Sequence, residues 1–187
     1  MGVILNHKIC DNGKENKRIK VILYMATSVN GYIAKKDGDS DWVSEIDSKI
    51  FEKKIKEAGC VIVGRKTFYQ YYGDLYPVGD ATNIVLTNDV TRQDENKNVV
   101  FVFSPKEAIQ IAEQKGYDKV LLIGGGQVNG SFINNDLIDE IFFSVHPLVL
   151  GKGIKIFENL KKQVNLKFVG SKELEEGLIQ LHYKILN

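Results

Sequence analysis

The sequence predicts a single α/β domain of three layers, in which helices cover both faces of a mixed, mainly parallel central sheet with an antiparallel C-terminal edge. Two observations predict this class. Short apolar runs alternate with amphipathic helical segments up to about residue 136, which is typical of parallel strands joined by helical crossovers. The remaining third is strand-like, and its last segment alternates apolar with polar residues, which is typical of an antiparallel strand with one solvated face.

Length and charge limit the class of protein. The 187 residues are enough for one domain with a hydrophobic core, expected over residues 19–187. Residues 1–18 lack a sustained period and end in a charged run, so they are expected to form a flexible leader. Lys and Arg number 25 against 24 Asp and Glu, which argues against nucleic acid as a partner. No apolar stretch approaches the roughly 20 residues of a membrane span, so we expect a cytoplasmic protein without membrane association.

The first elements follow from apolar runs and helix caps. A nearly continuous apolar run predicts a buried strand over residues 19–26, and a short extended segment follows at 31–34. Ser44 and Asp47 form a capping-box pattern, which predicts the start of an amphipathic helix that ends at Gly59.

The middle of the chain repeats the pattern of strand and helix. Buried strands are expected at 60–64, 83–87 and 99–103. A short helix is expected to open at residue 65, after the first of them. Ser104 and the following proline and glutamate predict a capped helix from residue 105 to 115.

The last third is expected to be rich in strands. The strand at 119–123 ends at three glycines, and a short helix or irregular turn follows. Strand-like segments then occupy 139–150, 165–174 and 178–186. The clean alternation of 178–186 indicates a solvated face and hence an antiparallel edge.

The cysteines and two of the histidines suggest no reactive centre. Cys10 and Cys60 are the only cysteines, which fits a reducing compartment and no disulfide framework. His146 and His182 have no Cys, His or acid at ligand spacing, so they are expected to be structural or surface residues. The sequence therefore predicts no metal site.

The glycine run suggests a ligand. Gly124, Gly125 and Gly126 end a strand and lead into a polar segment, an arrangement that brings backbone N–H groups to a phosphate or pyrophosphate. The alternative is a tight turn between two packed elements. Three consecutive glycines cost more chain entropy than a turn requires, which favours the ligand.

Two other strand ends carry polar residues of the same kind. Adjacent Arg and Lys at a helix N-terminus oppose the helix dipole, so they are more easily explained as anion ligands than as structural residues. Polar or glycine backbone at three strand ends along one sheet edge is typical of an α/β dinucleotide site. The residues at these two further ends are Gly64, Arg65, Lys66 and Thr67, then Thr87 and Asn88.

Other nucleotide-binding motifs do not fit. The third glycine of the Rossmann fingerprint would fall at position 129, which is Asn. No Gly-Lys-Ser/Thr follows as in a Walker loop, and no His-x-Glu or Cys-x-x-Cys indicates a zinc deaminase.

Taken in order, these motifs resemble the dihydrofolate reductase superfamily, and within it the reductase domain of the bifunctional riboflavin-biosynthesis deaminase-reductase and its stand-alone relatives. The resemblance covers roughly residues 19–186. The matching stretches are MATSVNGYIA, DW, VIVGRKTF, IVLTN, LLIGGGQV and HPLVLGKGIKIF. It implies an NADPH-dependent oxidoreductase that passes hydride to a ribosylaminopyrimidine-like substrate, in the manner of a 5-amino-6-(5-phosphoribosylamino)uracil reductase. It also implies a homodimer.

The resemblance implies a position for each cofactor residue. Arg65 is expected to grip the 2′-phosphate, because a planar guanidinium can bind it with two hydrogen bonds. Gly64, Lys66 and Thr67 would lie against the phosphates, and Thr87 and Asn88 near the adenosine ribose. Under the pyrophosphate and nicotinamide would lie Gly124, Gly125, Gly126, Gln127 and Val128.

The substrate side is less determined. Ser28 and Asn30 lie in the riboflavin-type loop, and Trp42 is expected at the substrate mouth. Asp47 follows Trp42 by five residues, where folate reductases carry their substrate-binding acid, but it can equally complete the helix cap begun at Ser44. Both readings stay open, with Asp47 as the candidate catalytic acid.

Two alternative functions remain open. The first is a dihydrofolate reductase, but this chain lacks one residue of that family's pattern. A dihydrofolate reductase would carry an arginine ahead of the 83–87 strand, where this chain has Asp80-Ala81-Thr82. Asn30 and Gln127 replace acids of the riboflavin-type pattern, so a non-catalytic nucleotide-binding relative is the second alternative.

Overall fold

The computed structural model describes residues 18–89, 91 and 94–186, so the predicted leader up to residue 17, with Cys10, lies outside the described residues. Arg18 belongs to the domain, because its guanidinium donates a hydrogen bond to the carbonyl of Asp136 at 3.0 Å. Within the described residues the elements are β1 (Lys20–Ser28), β2 (Tyr32–Lys35), α1 (Glu45–Ala58), β3 (Cys60–Gly64), α2 (Arg65–Gln70), β4 (Thr82–Leu86), β5 (Val99–Val102), α3 (Pro105–Gln114), β6 (Lys119–Leu122), α4 (Gly126–Asn134), β7 (Glu140–His146), β8 (Gly153–Lys155), β9 (Asn165–Glu175) and β10 (Leu178–Leu186).

The main sheet has eight strands in the order β5-β4-β3-β6-β1-β7-β10-β9. All neighbouring pairs from β5 to β7 are parallel, and β10 is antiparallel to both β7 and β9. The short strands β2 and β8 form a separate antiparallel pair, which the sequence analysis missed. The predicted mixed, mainly parallel sheet with an antiparallel C-terminal side is confirmed.

The outermost strand differs from the prediction. The alternating segment 178–186 was expected at the edge, but β10 lies between β7 and β9, and β9 forms the edge. Alternation shows only that the two faces of a strand differ in burial, and it does not distinguish an inner strand from an outer one. In β9 both faces are largely exposed, with Phe168 and Val169 at 56% and 45% exposure.

Helices cover both faces of the sheet. The side chains of β3 alternate between the two cores, with Val61 and Val63 on the side of α1 and α2 and with Cys60 and Ile62 on the side of α3 and α4. Because both faces are buried, the strand reads as one continuous apolar run. Burial raises the pKa of the Cys60 thiol to about 12, so this cysteine is protonated.

Local signals place the helix ends where the sequence analysis expected them. Ser44 Oγ accepts the N–H of Asp47 at the start of α1, and Gly59 ends the helix at φ 66° with its N–H bonded to the carbonyl of Ile55. Ser104 caps α3 through the N–H of Glu107. None of the helices in the described part of the chain is long and apolar enough to cross a membrane.

Candidate active site

A cleft of about 770 Å³ opens at the edge of the sheet where β6, β3, β4 and β5 end. It brings together residues that are distant in sequence, because parallel strands place their carboxyl ends at one edge. Gly124 lies behind the wall, where its carbonyl accepts the N–H of Gly64 at 2.8 Å. The other predicted cofactor residues all line the cleft, namely Gly64, Arg65, Lys66, Thr67, Thr87, Asn88, Gly125, Gly126, Gln127 and Val128.

The cleft lies where the chain changes direction across the sheet. From β3 the chain continues through β4 to β5 at one edge, and β6 then returns to the opposite side of β3. The helices that follow β3 and β6 lie on opposite faces of the sheet. A crevice forms between the ends of two such strands, and it is the usual ligand site of open α/β sheets.

Two helices begin at this crevice without side-chain caps. The N-cap residues of α2 and α4 are Gly64 and Gly125, which have no side-chain oxygen to accept the N–H groups of the first turn. These N–H groups and the positive ends of the helix dipoles are therefore free to bind an anion. The exposed side chains of Arg65 and Lys66 add two positive charges to the wall. The donor set fits the phosphates of a dinucleotide.

Each of the three glycines excludes a side chain for a different reason. Gly124 has φ +93°, a conformation that disfavours side chains. A Cβ on Gly126 would lie 2.2 Å from the carbonyl oxygen of Lys155. The sequence analysis assigned all three glycines to ligand approach, but packing within the chain already requires these two. At Gly125 a Cβ would meet only Thr67 Oγ1, at 3.3 Å, so a ligand is the stronger reason there. The peptide bond between Gly124 and Gly125 is cis.

Asp47 does not line the cleft; it lies against Tyr24 in the middle of β1, with its carboxylate 4.0 Å from His146 at the end of β7. Its backbone N–H donates to Ser44 Oγ at 3.3 Å, but the N–H of Ser44 donates to His146 Nε2 at 3.1 Å. The capping box is therefore only half formed, and the carboxylate of Asp47 has no part in it. That carboxylate is buried and accepts a hydrogen bond from the Tyr24 hydroxyl.

Tyr24 connects Asp47 to the antiparallel part of the sheet. Burial, and then the negative charge of Asp47, raise the pKa of the Tyr24 phenol, so it is protonated and donates. Its oxygen accepts a hydrogen bond from Gln180 Nε2 at 3.2 Å and lies 3.2 Å from Ser144 Oγ. A chain of hydrogen bonds thus runs from β10 through β1 to the acid on α1.

His146 is a buried, neutral histidine, as the hydrogen bonds around it show. Its Nε2 accepts the N–H of Ser44, so the ring proton is on Nδ1, which lies 3.0 Å from the carbonyl of Ser144. Asp47 Oδ2 is 4.0 Å away, and the ring of Trp42 packs edge-on at 5.1 Å. The expectation of a structural histidine is confirmed, and this histidine links two predicted substrate residues. Trp42 Nε1 is buried without a hydrogen-bond partner among the described residues.

Ser28 and Asn30 use their polar groups within the chain. Ser28 Oγ donates to Asn30 Oδ1 at 2.9 Å and accepts the N–H of Tyr32. Asn30 also holds Leu150 through two hydrogen bonds, one to its carbonyl and one from its N–H. Ser28 lies next to His146 in the parallel β1–β7 register, so these residues stand beside the cleft and not in its wall. Their role toward a substrate stays a prediction.

Several residues around the site were not expected. Glu158 and Lys36 also line the cleft, and each lies one or two residues beyond a stretch that carries the family resemblance, although no role was assigned to either from it. Phe103 could have been found, because it directly follows a strand that ends at the same edge as the others. The described residues contain no cluster of three His, Cys, Asp or Glu that could hold a metal ion.

Comparison with known proteins identifies relatives and a shared fold. The model of the RibD C-terminal domain family matches residues 19–180. The uncharacterised protein YwjB of Bacillus subtilis (strain 168) is 31% identical over 170 residues, which cover 88% of this chain and 97% of YwjB. The structure of the diaminohydroxyphosphoribosylaminopyrimidine deaminase/5-amino-6-(5-phosphoribosylamino)uracil reductase of Thermotoga maritima aligns with a TM-score of 0.73 at 20% identity, covering 91% of this chain and 57% of that one. Dihydrofolate reductase of Enterococcus faecalis, complexed with NADP(H), aligns with a TM-score of 0.71 at 21% identity, covering 90% and 97%.

Proposed function

Because this chain belongs to the RibD C-terminal domain family, we propose that it is an NADPH-dependent reductase of the riboflavin-biosynthesis type. The proposed substrate is ribosylaminopyrimidine-like, similar to 5-amino-6-(5-phosphoribosylamino)uracil, the substrate that the Thermotoga maritima enzyme is named for. The reaction would pass a hydride from C4 of the nicotinamide to the ribosyl C1 carbon as the ring C1–O bond opens. The released ring oxygen would take up a proton, and NADPH would be oxidised to NADP+.

The main support for the proposal is the set of residues that line the cleft. Ten of the eleven cofactor residues expected from the sequence line a single cleft, although they come from three separate stretches of the chain. The cleft combines two glycine-capped helix N-termini with two exposed cations, and a buried acid lies beside it. A site of this composition suits an elongated, multiply anionic ligand and a reaction at one of its ends.

The residues of the cleft would each bind one part of the cofactor. The first-turn N–H groups of α2 and α4 would hold the pyrophosphate, and Arg65 would hold the 2′-phosphate through its two-pronged guanidinium. The bound dihydronicotinamide would supply the hydride. The residues of this chain would contribute orientation, which is a large part of the catalysis available to a hydride transfer.

On the substrate side, Asp47 is the proposed acid that positions the pyrimidine. Its carboxylate is free of the helix cap, and its burial gives hydrogen bonds to a substrate more energy than they would have in water. Tyr24 fixes one oxygen of this carboxylate, which leaves the other for a ligand. Trp42, Ser28 and Asn30 would complete the mouth.

Reduction of dihydrofolate is the second candidate, and the position of Asp47 favours it. A buried acid five residues after Trp42, hydrogen-bonded to Tyr24 of β1 and 4.0 Å from His146 at the end of β7, is also suited to bind a pteridine. Against folate, no arginine stands at positions 80–82 to hold a glutamate tail. The ribosylaminopyrimidine is therefore ranked first.

An assay of NADPH oxidation tests the proposal. The protein would be given dihydrofolate and the riboflavin-pathway aminopyrimidine in parallel, together with Asp47→Asn and the exposed control Asp80→Asn. We expect turnover of the aminopyrimidine, reduced about 100-fold or more in Asp47→Asn and unchanged in Asp80→Asn. Faster turnover of dihydrofolate, lost in Asp47→Asn, would make the chain a folate reductase. Tight NADPH binding without turnover of either compound would favour a non-catalytic nucleotide-binding protein.

We further propose a second copy of this chain as its partner, with β9 as the contact. Within the described part of the chain, β9 pairs only with β10, so its other edge offers backbone groups without a partner there. Its side chains Leu166, Phe168 and Val169 are 39%, 56% and 45% exposed. A symmetric pairing about this edge would cover both the backbone and the apolar side chains.

A further inference from the structure

Phe103 is an aromatic side chain left in solvent on the wall of the cleft. It is 63% exposed, and Leu86 and Pro105 line the same part of the wall. Single exposed apolar residues are common on protein surfaces, so the exposure alone has no meaning. Its place in a concave wall, next to two other apolar side chains and close to polar anion ligands, is the informative observation.

The backbone holds this ring in a fixed place. Leu86 and Val102 are partners in the parallel β4–β5 register, and the N–H of Thr87 donates to the carbonyl of Val102 at 2.9 Å. Phe103 therefore stands beside Thr87 at the ends of neighbouring strands. The N–H of Phe103 donates to Glu107 Oε2 at 2.8 Å, which ties it to the first turn of α3. The ring is thus presented on a rigid support, while most of its own surface stays uncovered.

The sheet order decides which part of a dinucleotide reaches Phe103. His146 ends β7, beyond the β6 side of the cleft, and Asp47 and Trp42 lie close to its ring. The reacting end of the cofactor must lie next to them, at β6. The other end then extends across β3 and β4 to β5, three strand spacings or about 14 Å away. Phe103 stands at that far end.

We infer that Phe103 is a binding residue whose ring stacks on the adenine base of the cofactor. This inference rests on the proposed NADPH-dependent function. A purine has a flat apolar face, and stacking it on a phenylalanine ring removes the contacting face of each ring from water. Leu86 and Pro105 would cover its edges. The sequence of groups along the cleft, from phosphate ligands to Thr87 and Asn88 and then to apolar side chains, follows the order of pyrophosphate, ribose and base.

Substitutions at position 103 test the inference with binding as the readout. The wild-type protein, Phe103→Ala, Phe103→Leu and Phe103→Tyr would be titrated by calorimetry with NADPH and with 2′,5′-ADP, which has the adenine and the 2′-phosphate but no nicotinamide. We expect Phe103→Ala to weaken both ligands by about 5- to 100-fold, the range found for loss of a base–aromatic stack. Phe103→Leu should lose most of the same affinity, and Phe103→Tyr should keep it within about threefold, since only tyrosine preserves the flat ring.

Two further measurements separate stacking from damage to the fold. The exposed side chain makes little contribution to packing, so all variants should unfold thermally at the wild-type temperature. In Phe103→Trp, binding of 2′,5′-ADP should quench the added indole fluorescence, relative to the wild-type protein with Trp42 alone.

The outcomes distinguish this inference from the proposed function. If Phe103→Ala binds 2′,5′-ADP as well as the wild-type protein does, and the wild-type protein binds NADPH, then the stacking role is wrong and the proposed reductase stands. If Phe103→Leu keeps full affinity, the ring acts only as apolar cover and the inference is overturned. If the wild-type protein binds neither ligand, the proposed cofactor is wrong and the stacking role falls with it.

Discussion

The phenol of Tyr24 donates a hydrogen bond to the carboxylate of Asp47, and the two side chains are only 2% and 1% exposed. This bond joins the central strand β1 to the helix α1. The Tyr24 phenol that donates to Asp47 is neutral, and the ring of the nearby His146 is neutral as well. The arrangement positions the carboxylate against the middle of β1 without a cationic partner among these neighbours.

The first prediction concerns stability at alkaline pH. Since the pKa of Tyr24 is raised in the native state, the unfolded chain releases this proton above about pH 10 while the native protein keeps it. The stabilisation that the native state gains from the raised pKa of Tyr24 is therefore complete below about pH 10 and is lost as the pH rises above it. Tyr24→Phe should lower the free energy of unfolding by about 1–3 kcal/mol near pH 7, because it leaves a buried carboxylate oxygen unpaired.

Above pH 10 the variant should lose stability less steeply than the wild-type protein, by up to about 1.4 kcal/mol per pH unit. Urea unfolding between pH 7 and pH 11 measures both effects, with Tyr183→Phe on β10 as a control for the loss of a tyrosine hydroxyl. Parallel pH profiles for Tyr24→Phe and the wild-type protein would show that the Tyr24 proton does not contribute.

The second prediction concerns cofactor choice. Arg65→Ala should weaken NADPH about 10- to 100-fold, the value of a charge-assisted hydrogen bond, and should change NADH affinity less than about threefold. Arg65→Lys should give an intermediate loss, since an ammonium cannot form the bidentate contact. Fluorescence titration of both cofactors measures the ratio. Equal losses for NADPH and NADH would remove the role of Arg65 in recognising the 2′-phosphate.

A third prediction separates the glycines. Gly126→Ala places a Cβ 2.2 Å from the Lys155 carbonyl, so it should lower the free energy of unfolding by about 1–3 kcal/mol. In Gly125→Ala the added Cβ meets only a side-chain hydroxyl, so this variant should lose less free energy of unfolding than Gly126→Ala. Its affinity for NADPH should nevertheless fall by more than the loss of stability explains. Thermal unfolding and NADPH titration of both variants provide the comparison. Equal stability of the two variants would contradict this division of roles.

The fourth prediction concerns assembly. A dimer through β9 should sediment at twice the chain mass of 21.1 kDa, and Phe168→Glu should shift it to the single-chain mass by placing a charge in the contact. Val149→Glu is the matched control, because Val149 is 70% exposed and belongs to the loop between β7 and β8, not to β9. A wild-type protein that sediments as a single chain throughout the micromolar range would contradict the proposed partner.

Local signals in the sequence predicted most of the fold. Ser44, Gly59 and Ser104 mark helix ends because their side chains or backbone conformations satisfy groups within a few residues. The cofactor residues were predicted to meet for a topological reason. Parallel strands align their carboxyl ends, so polar residues that follow separate strands come to one edge whatever their distance in sequence.

Contacts between distant parts of the chain could not be predicted in this way. Gln180 and Tyr24, which support Asp47, are 156 residues apart, and neither belongs to a motif. The carbonyl of Lys155 that excludes a side chain at Gly126 lies at the end of the short strand β8, which the sequence pattern did not predict. The position of β9, and not β10, at the sheet edge was not predicted, because alternation of apolar and polar residues indicates which face is buried and not the order of the strands.

The strand order also constrains how the chain can fold during translation. β1 begins at Lys20, but its partners in the sheet start at Lys119 in β6 and at Glu140 in β7. Until residue 119 has been synthesised, the nascent chain therefore carries an apolar strand with both edges open, a state that favours chaperone binding or aggregation. Among the described residues, β9 reaches the sheet only through β10, so these two strands must dock as a hairpin after both have left the ribosome. We expect the sheet to stay incomplete until β10 has been synthesised.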